Sequence, residues 1–147
     1  MRRRDGFTLM ELVVVLFILS LLVAVAAPSF SRTLLSARMR TSASDVRAAF
    51  GKARSLAVAE GRVRAVVFDL EKGEFGLDND AVRRGFPEPV GLGAVRLEGE
   101  EAKASPARVR FYPDGTAQDA EVSVDSGDGG TIRVKVDPLT GIAEAGT

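Results

Sequence analysis

The sequence predicts an α+β fold: a long N-terminal α-helix with a transmembrane half and an amphipathic half, packed on an antiparallel β-sheet head. Three observations predict it. Phe7 to Ala27 is a run of 21 residues whose single charged member is Glu11. Beyond it, Leu35, Met39, Val46, Phe50, Ala53 and Ala57 recur at spacings of three, four or seven, which draws one apolar stripe on a helix. From residue 62 onward, β-branched residues alternate with polar ones between Gly, Asp and Pro turns.

The first element is the apolar run. At about 1.5 Å per residue it makes a helix of roughly 31 Å, enough to cross a hydrocarbon core. Arg2, Arg3 and Arg4 precede it, and Glu11 near its start is costly in such a setting unless a specific partner meets it. Two readings follow from composition alone. One is a single-span anchor whose arginines hold the N-terminus in the cytoplasm. The other is a secretory signal peptide, because Ala24-Val25-Ala26 is an A-x-A match before Ala27. The uninterrupted stretch from Leu12 to Ala27, 16 residues, is long for the second.

Pro28 lacks a donor and crowds the preceding turn, so it predicts a kink or local unwinding. The helical pattern resumes from about Ser29 to Glu60. Its opposite face carries Arg32, Arg38, Arg40, Asp45, Arg47, Lys52 and Arg54, read as a solvated charged face that partner subunits could use. Gly51 weakens the interior by about 1 kcal/mol relative to Ala, and Gly61 is suited to the C′ position that ends the helix.

The head spans 62–147. Residues 62–70 read as a strand, 71–74 as a turn, and Phe75 starts a short return strand. Residues 76–93, with Pro87 and Pro89, read as an irregular connection, and 94–98 as a weak strand. From Arg108 the alternation sharpens. Val109 and Phe111 face one way and Arg108, Arg110 and Tyr112 the other. Pro113-Asp114-Gly115-Thr116, 127–130 and 137–141 are turns between strands carrying Val122 and Val124, then Ile132, Val134 and Val136, then Ile142 to Glu144. Together these predict one antiparallel meander with an apolar face for the helix stripe.

Composition excludes several chemistries. The chain of 147 residues has no Cys and no His, so disulfides, thiol nucleophiles, imidazole bases and zinc sites of those ligands are out. With 20 basic and 20 acidic side chains the net charge is zero; without Arg2–Arg4 and Asp5, 17 face 19 and the remainder is −2. No basic excess argues for nucleic acid. Asp78/Asp80 and Asp125/Asp128 offer hard oxygens in glycine-bearing loops, but no full calcium pattern accompanies them. No nucleophile or nucleotide motif is present, so the expectation is no enzyme, no cofactor and no metal.

Gly6-Phe7-Thr8-Leu9-Met10-Glu11-Leu12 resembles the processing site of type IV prepilins and type II secretion pseudopilins. In that family a membrane aspartic peptidase cuts after the glycine and methylates the new N-terminal phenylalanine. Carried over by residue, Gly6 ends the leader, Phe7 is the new terminus, and Glu11 is the fifth residue of the mature chain. Met10 stands where the family more often has Ile or Val. The resemblance implies that Glu11 pairs with a neighbouring subunit's terminal ammonium and sets register in assembly, since two buried charges are tolerable only together. The run Val109 to Thr116, with the later Arg133-Val134-Lys135-Val136, resembles the C-terminal half of the GspH/FimT group, the H-type minor pseudopilins and minor type IV pilins. Some FimT-like pilins bind DNA through a C-terminal Gly-Arg-x-Arg segment. Here that place reads Gly141-Ile142-Ala143-Glu144, while Gly61-Arg62-Val63-Arg64 sits at the helix-to-strand junction; nucleic acid is disfavoured.

The expected organisation is a leader (1–6), a transmembrane helix (7–27), an amphipathic helix continuing into the head (28–61) and a periplasmic β-rich head (62–147). The implied role is structural: an inner-membrane, single-pass H-type minor pseudopilin of a type II secretion system, with N-terminus cytoplasmic, later part of a periplasmic pseudopilus. Its implied partners are the prepilin peptidase/N-methyltransferase, other major and minor pseudopilins, the inner-membrane assembly platform and membrane lipid. The alternatives are a FimT-like minor type IV pilin and a secreted binding domain.

Overall fold

A computed structural model describes residues 8–146, with the side chains of 24–32 excepted. Helix α1 runs Leu9–Glu60 without interruption. The chain divides into two compact units, Met1–Leu34 and Leu35–Thr147. The predicted kink at Pro28 falls where side-chain surroundings lie outside the described residues.

Among the described residues of the second unit, nine strands follow the helix: β1 Arg64–Asp69, β2 Glu74–Leu77, β3 Arg84–Gly85, β4 Val90–Leu97, β5 Glu100–Glu101, β6 Ala107–Phe111, β7 Ala120–Ser126, β8 Thr131–Val136 and β9 Ala143–Gly146. All pairings are antiparallel. They form two sheets, ordered β3-β2-β1-β6 and β5-β4-β7-β8-β9. The single meander expected from Arg108 is therefore corrected. β6 returns to pair with β1, Val66 opposite Val109, and of the strands from Arg108 onward β7-β8-β9 form the meander. The split falls after Phe111, where the 112–116 turn and one Phe111–Ala117 bridge precede β7.

The helix stripe is buried as its spacing requires. Met39, Val46, Phe50, Ala53 and Ala57 are buried, Leu35 is partly so, and Ala43 joins them. They meet Val66 and Phe68 of β1, Val109 and Phe111 of β6, and Val122, Val124, Val134 and Val136 of β7 and β8 in one core. Phe50 sits at its centre, edge-on to Phe68 at 5.9 Å and tilted against Phe111 at 5.7 Å. Each such fully buried side chain contributes about 1.5–3 kcal/mol of transfer free energy, and the aromatic contacts add to it.

Local chemistry fixes the boundaries. The Arg62 N–H reaches the Ala57 carbonyl at 3.3 Å past Gly61, whose φ is 63°; this is the six-to-one bond of a Schellman helix end. Two hairpins share one device. In Asp69-Leu70-Glu71-Lys72-Gly73 and Asp137-Pro138-Leu139-Thr140-Gly141 the aspartate Oδ1 accepts backbone N–H bonds from the residues two and three ahead. In each, the glycine N–H then returns to the aspartate carbonyl.

The region read as irregular, 76–93, contains β2's end, β3 and the start of β4. β4 is eight residues rather than the short 94–98 strand. Its register breaks between Leu92 and Val95. A β-carbon at Gly93 would run into the Ser123 hydroxyl and the Asp125 carboxylate, so glycine allows the bulge to lie under those side chains.

Candidate functional site

The residues singled out by sequence lie at the start of α1. Gly6 and Phe7 lie outside the described residues. Thr8, which the sequence reading passed over, caps the helix. The Glu11 N–H donates to Thr8 Oγ1 at 3.2 Å and to the Thr8 carbonyl at 3.1 Å. Thr8-x-x-Glu11 is the spacing of a capping box, and that spacing was the available signal. It places the Glu11 carboxylate in the first turn, where the partial positive charge of the helix end favours an anion. Glu11 thus stands in the first turn, three residues past the capping Thr8.

From Leu9 to Val23 every described side chain is exposed, including Phe17 at 64 % and Leu22 at 61 %. Apolar residues occupy all sides of this stretch rather than one stripe, the pattern of a helix whose surroundings are themselves apolar. Ser20 conforms to it: its hydroxyl donates to the Phe17 carbonyl at 2.7 Å, so the polar group is satisfied within the helix. Among the described residues, no helix is long and apolar enough to cross a membrane. Of the 7–27 run, side chains are described from Thr8 to Val23.

The charged face of the amphipathic half is less free than its sequence suggested. Arg54 Nε donates to the Gly115 carbonyl at 3.0 Å, and Arg38 Nη1 to the Glu88 carbonyl at 2.9 Å. Lys52 pairs with Asp80 at 3.6 Å and Asp45 with Arg84 at 4.0 Å. Arg62 and Arg64 both hold Glu60, at 2.8 and 2.7 Å, and buried Arg64 also reaches Asp78 at 3.4 Å. The bond from Arg62 leads in holding the Glu60 carboxyl below its ordinary range. Neither arginine of the Gly61-Arg62-Val63-Arg64 string is left as clustered free positive charge, which phosphate binding needs.

Three of the four loop aspartates have partners, while Asp125 Oδ1 is buried without a hydrogen-bond partner. Asp78 and Asp80 face the cations just named, and the Ser126 hydroxyl bonds Asp128. Among the described residues no group of three or more acidic side chains is placed to hold a metal ion.

Residues 1–27 match the prokaryotic N-terminal methylation motif. The match supports a type IV pilin-like protein or pseudopilin, and implies processing by a prepilin peptidase and assembly with other pilins. Comparison with curated proteins and with solved structures finds no match.

Proposed function

We propose that this chain is a structural subunit of a pilin-like filament, an H-type minor pseudopilin of a type II secretion system. The observation that carries the reading is the methylation motif at 1–27 together with the apolar helix within it, exposed on all sides from Leu9 to Val23. In this reading Gly6 is the last leader residue and Phe7 the methylated terminus. The apolar half of α1 anchors the subunit in the inner membrane and later packs among neighbouring helices. Glu11 neutralises a neighbour's α-ammonium and so selects the stagger at docking. The head recognises other subunits and performs no catalysis. A FimT-like role in a type IV pilus shares every one of these features and differs in partners.

Intact-mass and N-terminal analysis of the mature protein tests the reading. N-methylated Phe7 is the expected start. A chain starting at Ala27 or Pro28 makes it a secreted domain, and retained Met1 makes it a plain anchor; either overturns the proposal. Glu11→Ala is expected to be cleaved normally and to be lost from filaments, and normal incorporation would sink the docking role. Co-purified subunits then separate secretion from pilus systems.

A further inference from the structure

The connection between β2 and β4 is pinned firmly at its ends and lightly in between. At one end Asp78 meets Arg64 at 3.4 Å, and its N–H donates to the Ala65 carbonyl at 3.0 Å. At the other, Val90 is buried. The strap between them, residues 79–89, is exposed or half-buried throughout. Phe86, set against Phe75 at 5.3 Å, is the apolar side chain it sends to the core. Within the strap, β3 is two exposed residues, paired to β2 through Glu74–Gly85 and Phe75–Arg84. The ties to α1 are Lys52–Asp80 at 3.6 Å and Asp45–Arg84 at 4.0 Å, between exposed partners, and the Arg38 bond to the Glu88 carbonyl at 2.9 Å. A cavity of about 140 Å³ lies between strap, α1 and β2, lined by Ala48, Ala49, Phe75, Leu77, Val82 and Arg84. Its apolar walls therefore lack the contacts of close packing.

We infer that residues 79–89 are a salt-controlled latch, which detaches from α1 and β2 while the rest of the head stays folded. Local opening is favoured where buried apolar contacts are few and charged contacts stand in solvent. Exposed ion pairs hold weakly, and they are screened further as the Debye length falls from about 30 Å at about 10 mM salt to about 3 Å at about 1 M. The hinges are the pinned residues Asp78 and Val90. The core does not depend on the strap: Val66, Phe68, Val109 and Phe111 are fully buried among α1, β1 and β6. Opening takes β3 away and leaves β2 as the outer strand of β2-β1-β6, with a free row of backbone groups. It also bares part of Phe75 and Leu77, which are 2 % and 5 % exposed with the latch shut. Beside them α1 would then present Asp45 and Lys52 without their strap partners. Salt, or a group that competes for those two charges, thus sets how often a new sheet edge shows.

Hydrogen–deuterium exchange of the full-length chain in a neutral detergent, read peptide by peptide at about 10 mM and about 1 M salt, tests this. Peptides from 79–89 are expected to exchange at least about tenfold faster than those of β7, and to speed up about threefold at high salt as the two exposed pairs are screened. β7, with Val122 and Val124 fully buried, is expected to stay slow at both. Lys52→Glu with Arg84→Glu sets carboxylates on both sides of the gap, so attraction becomes repulsion. Salt should then slow the strap, a reversal that a general effect of salt on exchange does not produce. Adding Asp45→Lys and Asp80→Lys to that pair puts opposite charges face to face again and should restore the original direction. Strap peptides no faster than β7, a wild-type rate indifferent to salt, or an acidic variant that still speeds up with salt overturns the inference. The experiment does not use the filament, so its failure leaves the roles of Phe7 and Glu11 untouched.

Discussion

One helix, α1, is written by two different rules. From Leu9 to Val23 apolar side chains cover every side and all stay exposed; from Leu35 to Glu60 most keep to one stripe, Val58 excepted, and that stripe is buried under this chain's own strands. The second half has its partner in the same polypeptide, so its pattern is narrow and its polar side is free for Arg40 and Arg47. The first half has none among the described residues, so its pattern is unrestricted. Apolar periodicity therefore reports where the partner is: a stripe points inward to the chain, an all-round surface points outward to lipid or to other helices.

The comparison breaks most visibly on paired phenylalanines. Phe50→Ala is expected to destabilise the head by about 3–5 kcal/mol, because a fully buried ring leaves a cavity among Phe68 and Phe111. Phe17→Ala is expected to leave the same denaturant midpoint within about 0.5 kcal/mol. Equal effects on head unfolding would erase the distinction between the halves.

Gly141→Ala comes next. Gly141 has φ 63°, and an added β-carbon would strike the Gly115 carbonyl and lie 2.9 Å from Arg54 Cδ. It should cost about 2–3 kcal/mol in chemical denaturation. Arg54→Ala removes the bond that ties the helix to the same turn and should cost about 1 kcal/mol. Were Arg54 a freely solvated side chain, as its sequence position suggested, the change would be negligible.

Thr8→Ala sharpens the other half. It should reduce helicity at the start of α1, by about 1 kcal/mol of capping, with no change in head unfolding; circular dichroism of full-length chain and denaturant titration separate the two. The smallest effect is of pH. Backbone N–H bonds from Thr140, then Leu139, hold the Asp137 carboxyl below its ordinary range, and the bond from Lys72 does the same for Asp69. A carboxyl lowered in the folded state contributes stability above its unfolded value and loses it as pH falls through the folded one. The head's thermal midpoint should therefore decline below about pH 4, and Asp137→Asn should flatten that decline. An unchanged acid slope in the variant would remove the turn from the explanation.

The legible parts of the fold were those written in local pattern. The stripe of Met39, Val46, Phe50, Ala53 and Ala57, the Gly61 stop, and the alternations 107–111 and 120–126 each follow from period and turn chemistry. What was not legible depends on pairing at a distance. Nothing local in Ala107–Phe111 says that it joins β1 rather than β7, and Gly91 and Gly93 hide β4 because a bulge over Ser123 and Asp125 breaks the period of two. At the candidate segment, Glu11 stood out by cost, whereas Thr8 was missed although its capping-box spacing to Glu11 was there to be read. Arg54 and Arg64 were missed because their partners, Gly115 and Asp78, lie far along the chain.

The helix end at Glu60 has a mechanical meaning. Glu60 is clasped by Arg62 and Arg64, and Arg64 opens β1, which is flanked on both sides by β2 and β6. Tension applied along the Leu35–Glu60 segment would enter the sheet at an interior strand, held by a ladder on each side, rather than at a free edge.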